Sequence, residues 1–321
     1  MKTAIPSNLR PRGRAEFKFL LGTVAAVSLC ALSTIAHGQD IYVTSHGDNT
    51  VGEYDASTGA TINATLISGF NVPTGIAVSG SDLFVVNQGN GAIGEYNATT
   101  GATINATLVS GLNDPNGIVV SGSELFVGDY NNDTIGEYNA TTGAAINSAL
   151  VTGLNSPIDL ALSDGNLFVV NINDGTIGEY NATTGATINA TLVSGLNDPI
   201  GITVSGGNLF VVNHSPGSVG EYNAATGVAI NSALISGLNF PIAIVLSGSN
   251  LFLTNSTNSL NAGAIGEYNA TTGVAINATL VSGLSQPQFI AIGTVPEPSA
   301  WPQLAAGAAA LFAALRQRRR S

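Results

Sequence analysis

The chain has 321 residues, of which 44% are hydrophobic and 9% charged, and its formal net charge is -11. All 9 Lys and Arg lie in the two terminal segments, so the span between Gln39 and Thr294 carries 18 Asp and Glu and no basic side chain except His46 and His214. That balance excludes nucleic-acid binding, which needs Lys or Arg against phosphate, and it leaves no cationic clamp for an anionic substrate.

In chain order, Lys2, Arg10, Arg12, Arg14 and Lys18 precede an apolar run from Phe19 to about Ala36, and Ala36-His37-Gly38 follows at a cleavage spacing. A basic start, an apolar stretch and small residues at its exit read as a secretory signal over residues 1–38. Cys30 sits inside the run behind bulky Leu29, which argues against a lipoprotein cleavage site. The exported chain then holds no cysteine and uses no disulfide.

From Ile41 to Thr294 a 42-residue unit runs six times: Gly-Glu-Tyr begins at Gly52, Gly94, Gly136, Gly178 and Gly220, and again at Gly266 after a four-residue insertion. A period of this size marks a repeat architecture. In the second copy, Leu83 to Asn87 is a short apolar run ending in a turn residue and reads as a buried strand. Ala92 to Tyr96 reads as the next strand, and Asn97 to Gly101 as a turn closed by an Asx bond and a glycine. Thr103 to Leu108 alternates and suits a half-wet outer strand, and Gly117 to Val120 completes four strands without helical periodicity.

Four short antiparallel strands per repeat make a propeller blade. An open solenoid needs polar caps at its ends, and the first repeat is as apolar as the middle ones. The chain enters at Ile41, in phase with Leu83, and leaves at Phe289 to Ile292, in phase with Gly117 to Val120. The expected fold is therefore all-β: a six-bladed propeller over residues 39–294, closed by pairing of the C-terminal inner strand with the N-terminal blade. Closure removes two open sheet edges.

The run from Pro73 to Asn87 resembles the NHL-type and related propeller repeats. The resemblance implies that the Gly-Ile-Ala-Val strand is innermost, the Gly-Glu-Tyr strand third and Thr-Ile-Asn-Ala-Thr-Leu outermost. The family's terminal Asp is mostly Asn here (Asn87, Asn171, Asn213, Asn255), with Asp kept at Asp129. On this frame Glu53, Glu95, Glu137, Glu179, Glu221 and Glu267 recur on third strands, away from the axis, and read as solvated or turn-bonding rather than as a metal ring. His46 and His214 follow the second strands of the first and fifth blades and read as exposed loop histidines. Asp159 stands where the other copies have Gly75, Gly117, Gly201, Ala243 and Phe289, at the start of an innermost strand. It is the channel-mouth candidate for a cation or polar ligand, with Asp129 and Asn171 near it. Asn97-Ala-Thr99 and its copies match a glycosylation acceptor, although the turn itself accounts for them. The loops after the second strands vary most between copies, so their face is the candidate for recognition.

At the other end, Val295, Pro296, Glu297 and Pro298 are followed by an apolar stretch and by Arg316, Arg318, Arg319 and Arg320. Residues 295–321 resemble the PEP-CTERM sorting signal, which implies processing by an exosortase-like membrane protease and transient membrane anchoring. The basic tail stays cytoplasmic, and Ser299 to Leu315 is short for a spanning helix of about 20 residues. Terminal signal and anchor helices complete the expected organisation.

The reading that follows is an exported, non-enzymatic binding or structural module. It passes through an inner-membrane intermediate to the surface or exopolysaccharide matrix of a Gram-negative bacterium. Its expected partners are extracellular polysaccharide or an envelope protein, with no cofactor. The alternative is a metal-dependent lactonase or lyase of the propeller type, which would hold its metal with acidic and amide residues from several inner strands. Here those positions are mostly Gly, Ala and aliphatic, with Asp159 nearly alone.

Overall fold

The computed structural model describes residues 38–256 and 262–293. They form six four-stranded antiparallel sheets. In blade 2 the spatial order from the axis outward is Pro73–Ser79, Asp82–Asn87, Ala92–Asn97 and Thr103–Ser110. Blades 3 to 6 repeat that order in phase, with inner strands Pro115–Ser121, Pro157–Ser163, Pro199–Ser205 and Pro241–Ser247. Blade 1 is composite: Pro287–Gly293 is its inner strand, followed by Asp40–Ser45, Thr50–Asp55 and Thr61–Ser68. Ile41 pairs with Ile292, Tyr42 with Ala291 and Val43 with Ile290. Each inner strand packs on the inner strand of the next blade, and the series returns from Pro287–Gly293 to Pro73–Ser79. The expected closed ring and the expected strand order are both present. The signal and anchor helices expected at 1–38 and 295–321 fall on segments outside the described residues, apart from Gly38.

The second strand is apolar throughout because both of its faces are covered. Leu83 and Val85 pack with blade 1, while Phe84 and Val86 pack with Leu125 and Val127 of blade 3. Alternation therefore divides the run between two inter-blade cores instead of between core and water. Each such side chain contributes about 1.5–3 kcal/mol on full burial.

Gly-Glu-Tyr has an equally local cause. Residues i and i+2 of a strand share a face, and the Tyr96 ring lies back across Gly94. A Cβ on Gly94 would stand 2.5 Å from Tyr96 Oη, and the same crowding recurs at Gly52, Gly136, Gly178, Gly220 and Gly266. The six tyrosines of the motif are buried packing residues.

The turn after the third strand forms as the sequence predicts. Asn97 Oδ1 accepts from the Thr100 amide and hydroxyl, both at 2.9 Å, and Gly101 takes φ +67. Gly101 is required twice over, because a Cβ there would also meet the Leu66 carbonyl oxygen of the preceding blade at 2.0 Å. Outer strands pair irregularly, with register shifts between Ile93 and Glu95 and between Glu95 and Tyr96. Thr103 to Thr107 are exposed, and Leu108 and Val109 are buried.

Candidate functional site

The inner strands enclose an axial cavity of about 200 Å³. Its wall is mostly aliphatic, with Ile76, Ile118, Leu160, Ile202, Ile244 and Ile290 each supplied by a different blade and Thr203 as a polar exception. Asp159 also lines it and is 7% exposed. Its Oδ1 accepts from the Leu160 amide at 2.9 Å, and its Oδ2 accepts from the Ile202 amide of blade 5 at 2.9 Å. Burial pushes its carboxyl up to about 7, against the opposing effect of the two amide bonds.

The equivalent positions explain why an acid is unusual there. A Cβ on Gly75 would meet the Asn116 carbonyl oxygen at 2.2 Å, and one on Gly201 would meet that of Ile242 at 2.6 Å. Where the residue carries a side chain, a hydroxyl one strand out takes over the amide: Ala243 N–H donates to Thr254 Oγ1 at 3.0 Å, and Phe289 N–H to Thr44 Oγ1 at 3.0 Å. Each threonine then donates to the next blade, Thr254 to the Gln288 carbonyl at 2.6 Å and Thr44 to that of Thr74 at 2.7 Å. Asp159, Thr44 and Thr254 are thus one class of device, polar links that tie a blade to its neighbour beside the axis. The two threonines were not singled out in the sequence, although they stand where other copies have Val86, Gly128, Val170 and Val212.

Asp129 and Asn171 do not join Asp159. Asp129 Oδ1 accepts from the Asn113 amide at 3.0 Å and its Oδ2 from Asn132 Nδ2 at 2.9 Å. Asn171 Oδ1 accepts from the Asn155 amide at 3.4 Å. Both residues anchor the loop that enters their own blade. That loop carries a left-handed residue before each proline, at Val72, Asp114, Ser156, Asp198, Phe240 and Gln286, with φ between 50 and 64. The turn aims each carbonyl at the residue after the second strand, as in Gln88 N–H to Val72 O at 3.1 Å. The variable loops and the inter-blade loops therefore share one face.

The recurrent glutamates are less exposed than the sequence reading expected. Glu53, Glu137, Glu179 and Glu221 are buried. Asn166, Asn208 and Asn250 each donate to Glu179, Glu221 and Glu267 at 2.8, 2.8 and 2.7 Å. In blades 2 and 3 the donor's place is held by Asp82 and Glu124. There burial, and secondarily the facing carboxylate, raises the carboxyls of Glu95 and Glu137. Glu53, Glu179, Glu221 and Glu267 thus bond across to the second strand, not to a turn.

The histidines also depart from the expected exposed loops. His46 is half-buried with Nε2 shut away from solvent and without a hydrogen-bond partner among the described residues, and desolvation lowers its pKa. His214 is half-buried, with Nδ1 3.0 Å from the Pro241 carbonyl and its ring 5.3 Å from that of Phe240. The segment entering blade 6, at Phe240 and Pro241, covers the His214 imidazole. Among the described residues no three His, Cys, Asp or Glu side chains cluster as metal ligands, and no helix is long and apolar enough to cross a membrane. The sorting motif Val295 to Pro298 and the arginines 316 and 318–320 lie outside the described residues.

A family model described as outer membrane protein assembly factor BamB matches residues 47–273. No curated protein matches the chain. Among solved structures, a chain from a nidogen/laminin complex is 19% identical, with 79% of this chain and 98% of that one covered at a TM-score of 0.66. The gluconolactonase XC5397 from Xanthomonas campestris is 13% identical, with coverage of 70% and 81% and a TM-score of 0.57. At such identities the two likenesses concern the fold alone.

Proposed function

The chain belongs to the family described as outer membrane protein assembly factor BamB, and from that premise we propose that it is an exported, non-enzymatic propeller acting as a binding or structural module of the cell envelope or exopolysaccharide matrix. The family description supports an envelope setting. The observation that carries the non-enzymatic part is the state of Asp159: both carboxylate oxygens are spent on backbone amides, one of them in the next blade. The one acid of the axial cavity thus serves to join blades, and the rest of the wall is apolar apart from Thr203. Catalytic propeller chemistry would need several convergent polar groups around the axis.

In this reading residues 1–38 direct export. The segment 295–321 then holds the chain transiently in the inner membrane until an exosortase-like protease removes it near Val295 to Pro298. Extracellular polysaccharide or an envelope protein is the partner. The test is to fractionate the source cells and weigh the mature protein by mass spectrometry. A product in the matrix or medium that begins near Gln39 and lacks the arginine tail is expected, and a full-length cytoplasmic product contradicts the reading. The rival, a metal-dependent lactonase or lyase, predicts a stoichiometric divalent ion at the axis of the purified ring. Elemental analysis that found one would favour it.

A further inference from the structure

Blade 5 departs from blades 2, 3 and 4 at one loop junction. In blades 2, 3 and 4 the asparagine that opens the inter-blade loop is held twice. Its amide donates to the residue ending the second strand: Asn71 to Asn87 Oδ1 at 2.8 Å, Asn113 to Asp129 Oδ1 at 3.0 Å, Asn155 to Asn171 Oδ1 at 3.4 Å. Its side chain donates to the variable loop: Asn71 to Asn90 at 3.3 Å, Asn113 to Asn132 at 3.2 Å, Asn155 to Asp174 at 2.6 Å. In blade 5 the loop residue equivalent to Asn90, Asn132 and Asp174 is Pro216. Proline offers no side-chain acceptor, so the Asn197 side chain lacks the acceptor that its counterparts use. Asn213, which matches Asn87 and is 6% exposed, is left with a buried Oδ1 that has no hydrogen-bond partner among the described residues, as is Asn255 in blade 6. The outer strand before this loop also stops at Val193, whereas its counterpart in blade 2 runs to Ser110.

Where the latch is missing there is a cavity of about 410 Å³, lined by Asn197, Asn213, Ser218, Tyr222, Ser232 and Ser236 among others. That volume lies within the usual range of small-ligand sites, about 300–1,000 Å³. The corresponding cavity in blade 1, beside Ser45 and Tyr54, measures about 130 Å³. The polar lining groups are amides and hydroxyls, and no charged side chain is among them. Serine hydroxyls both donate and accept, and an orphaned buried amide oxygen asks for an O–H or N–H donor. A neutral ring bearing several hydroxyls meets those demands at once, whereas an ion would find no countercharge.

We propose that this cavity at the entry to blade 5 binds a neutral hydroxylated ring, a monosaccharide unit of a polysaccharide, with Asn213 as the principal polar contact. The proposal deepens the binding-module reading and rests on it for a polysaccharide setting. Its test needs only the purified ring: methyl β-glucoside, methyl β-galactoside and methyl α-mannoside are titrated while the Asn213 side-chain amide and the Tyr222 ring are followed by NMR. Selective shifts of those two groups by one of the glycosides are expected. Asn213→Leu and Pro216→Asn, the second restoring the latch of blades 2 to 4, are expected to weaken binding, read from the Tyr222 ring, at least about tenfold. If no glycoside moves the two groups, the cavity holds ordered water only and the proposal is overturned. It is likewise overturned if the shifts fall elsewhere or survive in folded forms of both variants. The outcome is separable from the localisation test: a ring that binds no sugar can still be shed, and a ring that binds sugar can still prove to be retained in the cell.

Discussion

Asp159 shows how one residue in a repeat protein can be conspicuous without being catalytic. It was visible in the sequence because five other copies place Gly, Ala or Phe there. Its role was not visible, because the group it binds in blade 5 is the backbone amide of Ile202, 43 residues on, and a backbone donor leaves no mark on composition. Its carboxyl sits at about 7 in the fold against about 3.9 in an unfolded chain. Between those values the native state holds a proton that the unfolded state has released. Stability from this group is therefore full below about pH 4 and is lost as pH rises to about 7, by at most about 1.4 kcal/mol per unit. Asp159→Gly, which installs the residue of blades 2, 3 and 5, removes that slope. In urea denaturation, the stability of wild type relative to the variant is expected to fall from pH 4 to pH 7.5. A constant difference would contradict the account.

Strands and turns were the most legible level. The Gly-x-Tyr spacing, the Asn-to-Gly turn and the continuous Leu-Phe-Val-Val run each have a cause within a few residues, so sequence alone could find them. Pairing between strands was harder to read. The third-strand glutamates looked solvated because a single strand does not reveal that Asn166, Asn208 and Asn250 of the neighbouring strand reach across to them. The exceptions give a prediction. Glu137 is buried opposite Glu124, and its carboxyl is raised by burial first and by Glu124 second. Glu124→Asn supplies the amide found in blades 4 to 6 and is expected to stabilise the protein by about 0.5–1.5 kcal/mol near pH 7. A raised carboxylate costs stability only above its unfolded pKa, so the gain should vanish near pH 4. Denaturant midpoints at the two pH values check both parts.

At the scale of the whole molecule, the ring holds together without a single Lys or Arg between Gln39 and Thr294. Its cohesion comes from inter-blade cores such as Leu83 and Val85 against blade 1, and from the polar links beside the axis at Thr44, Thr254 and Asp159. An uninterrupted circle is what lets every second strand be covered on both faces. Blade 1 is the one place where the circle is made from two distant pieces of chain, and both pieces are needed: Pro287–Gly293 alone would be an unpaired strand, and Asp40–Ser45 alone would leave an open edge beside blade 2. The period of the sequence and the phase of its ends were enough to foresee this closure, since counting strands requires no knowledge of side-chain geometry. The blade-5 cavity, by contrast, depends on the loss of the side-chain latch at Pro216 and of the amide bond to Asn213, and no periodicity announces that.

Native-state hydrogen exchange on the folded protein tests the closure most directly. The amides of Asp40–Ser45 and of Ile290–Gly293 are expected to exchange only through global unfolding, with the same protection as Leu83 to Val86 in blade 2. Markedly faster exchange at either end, while blades 2 to 6 stay protected, would mean that the circle opens between its first and last strands and would contradict the account.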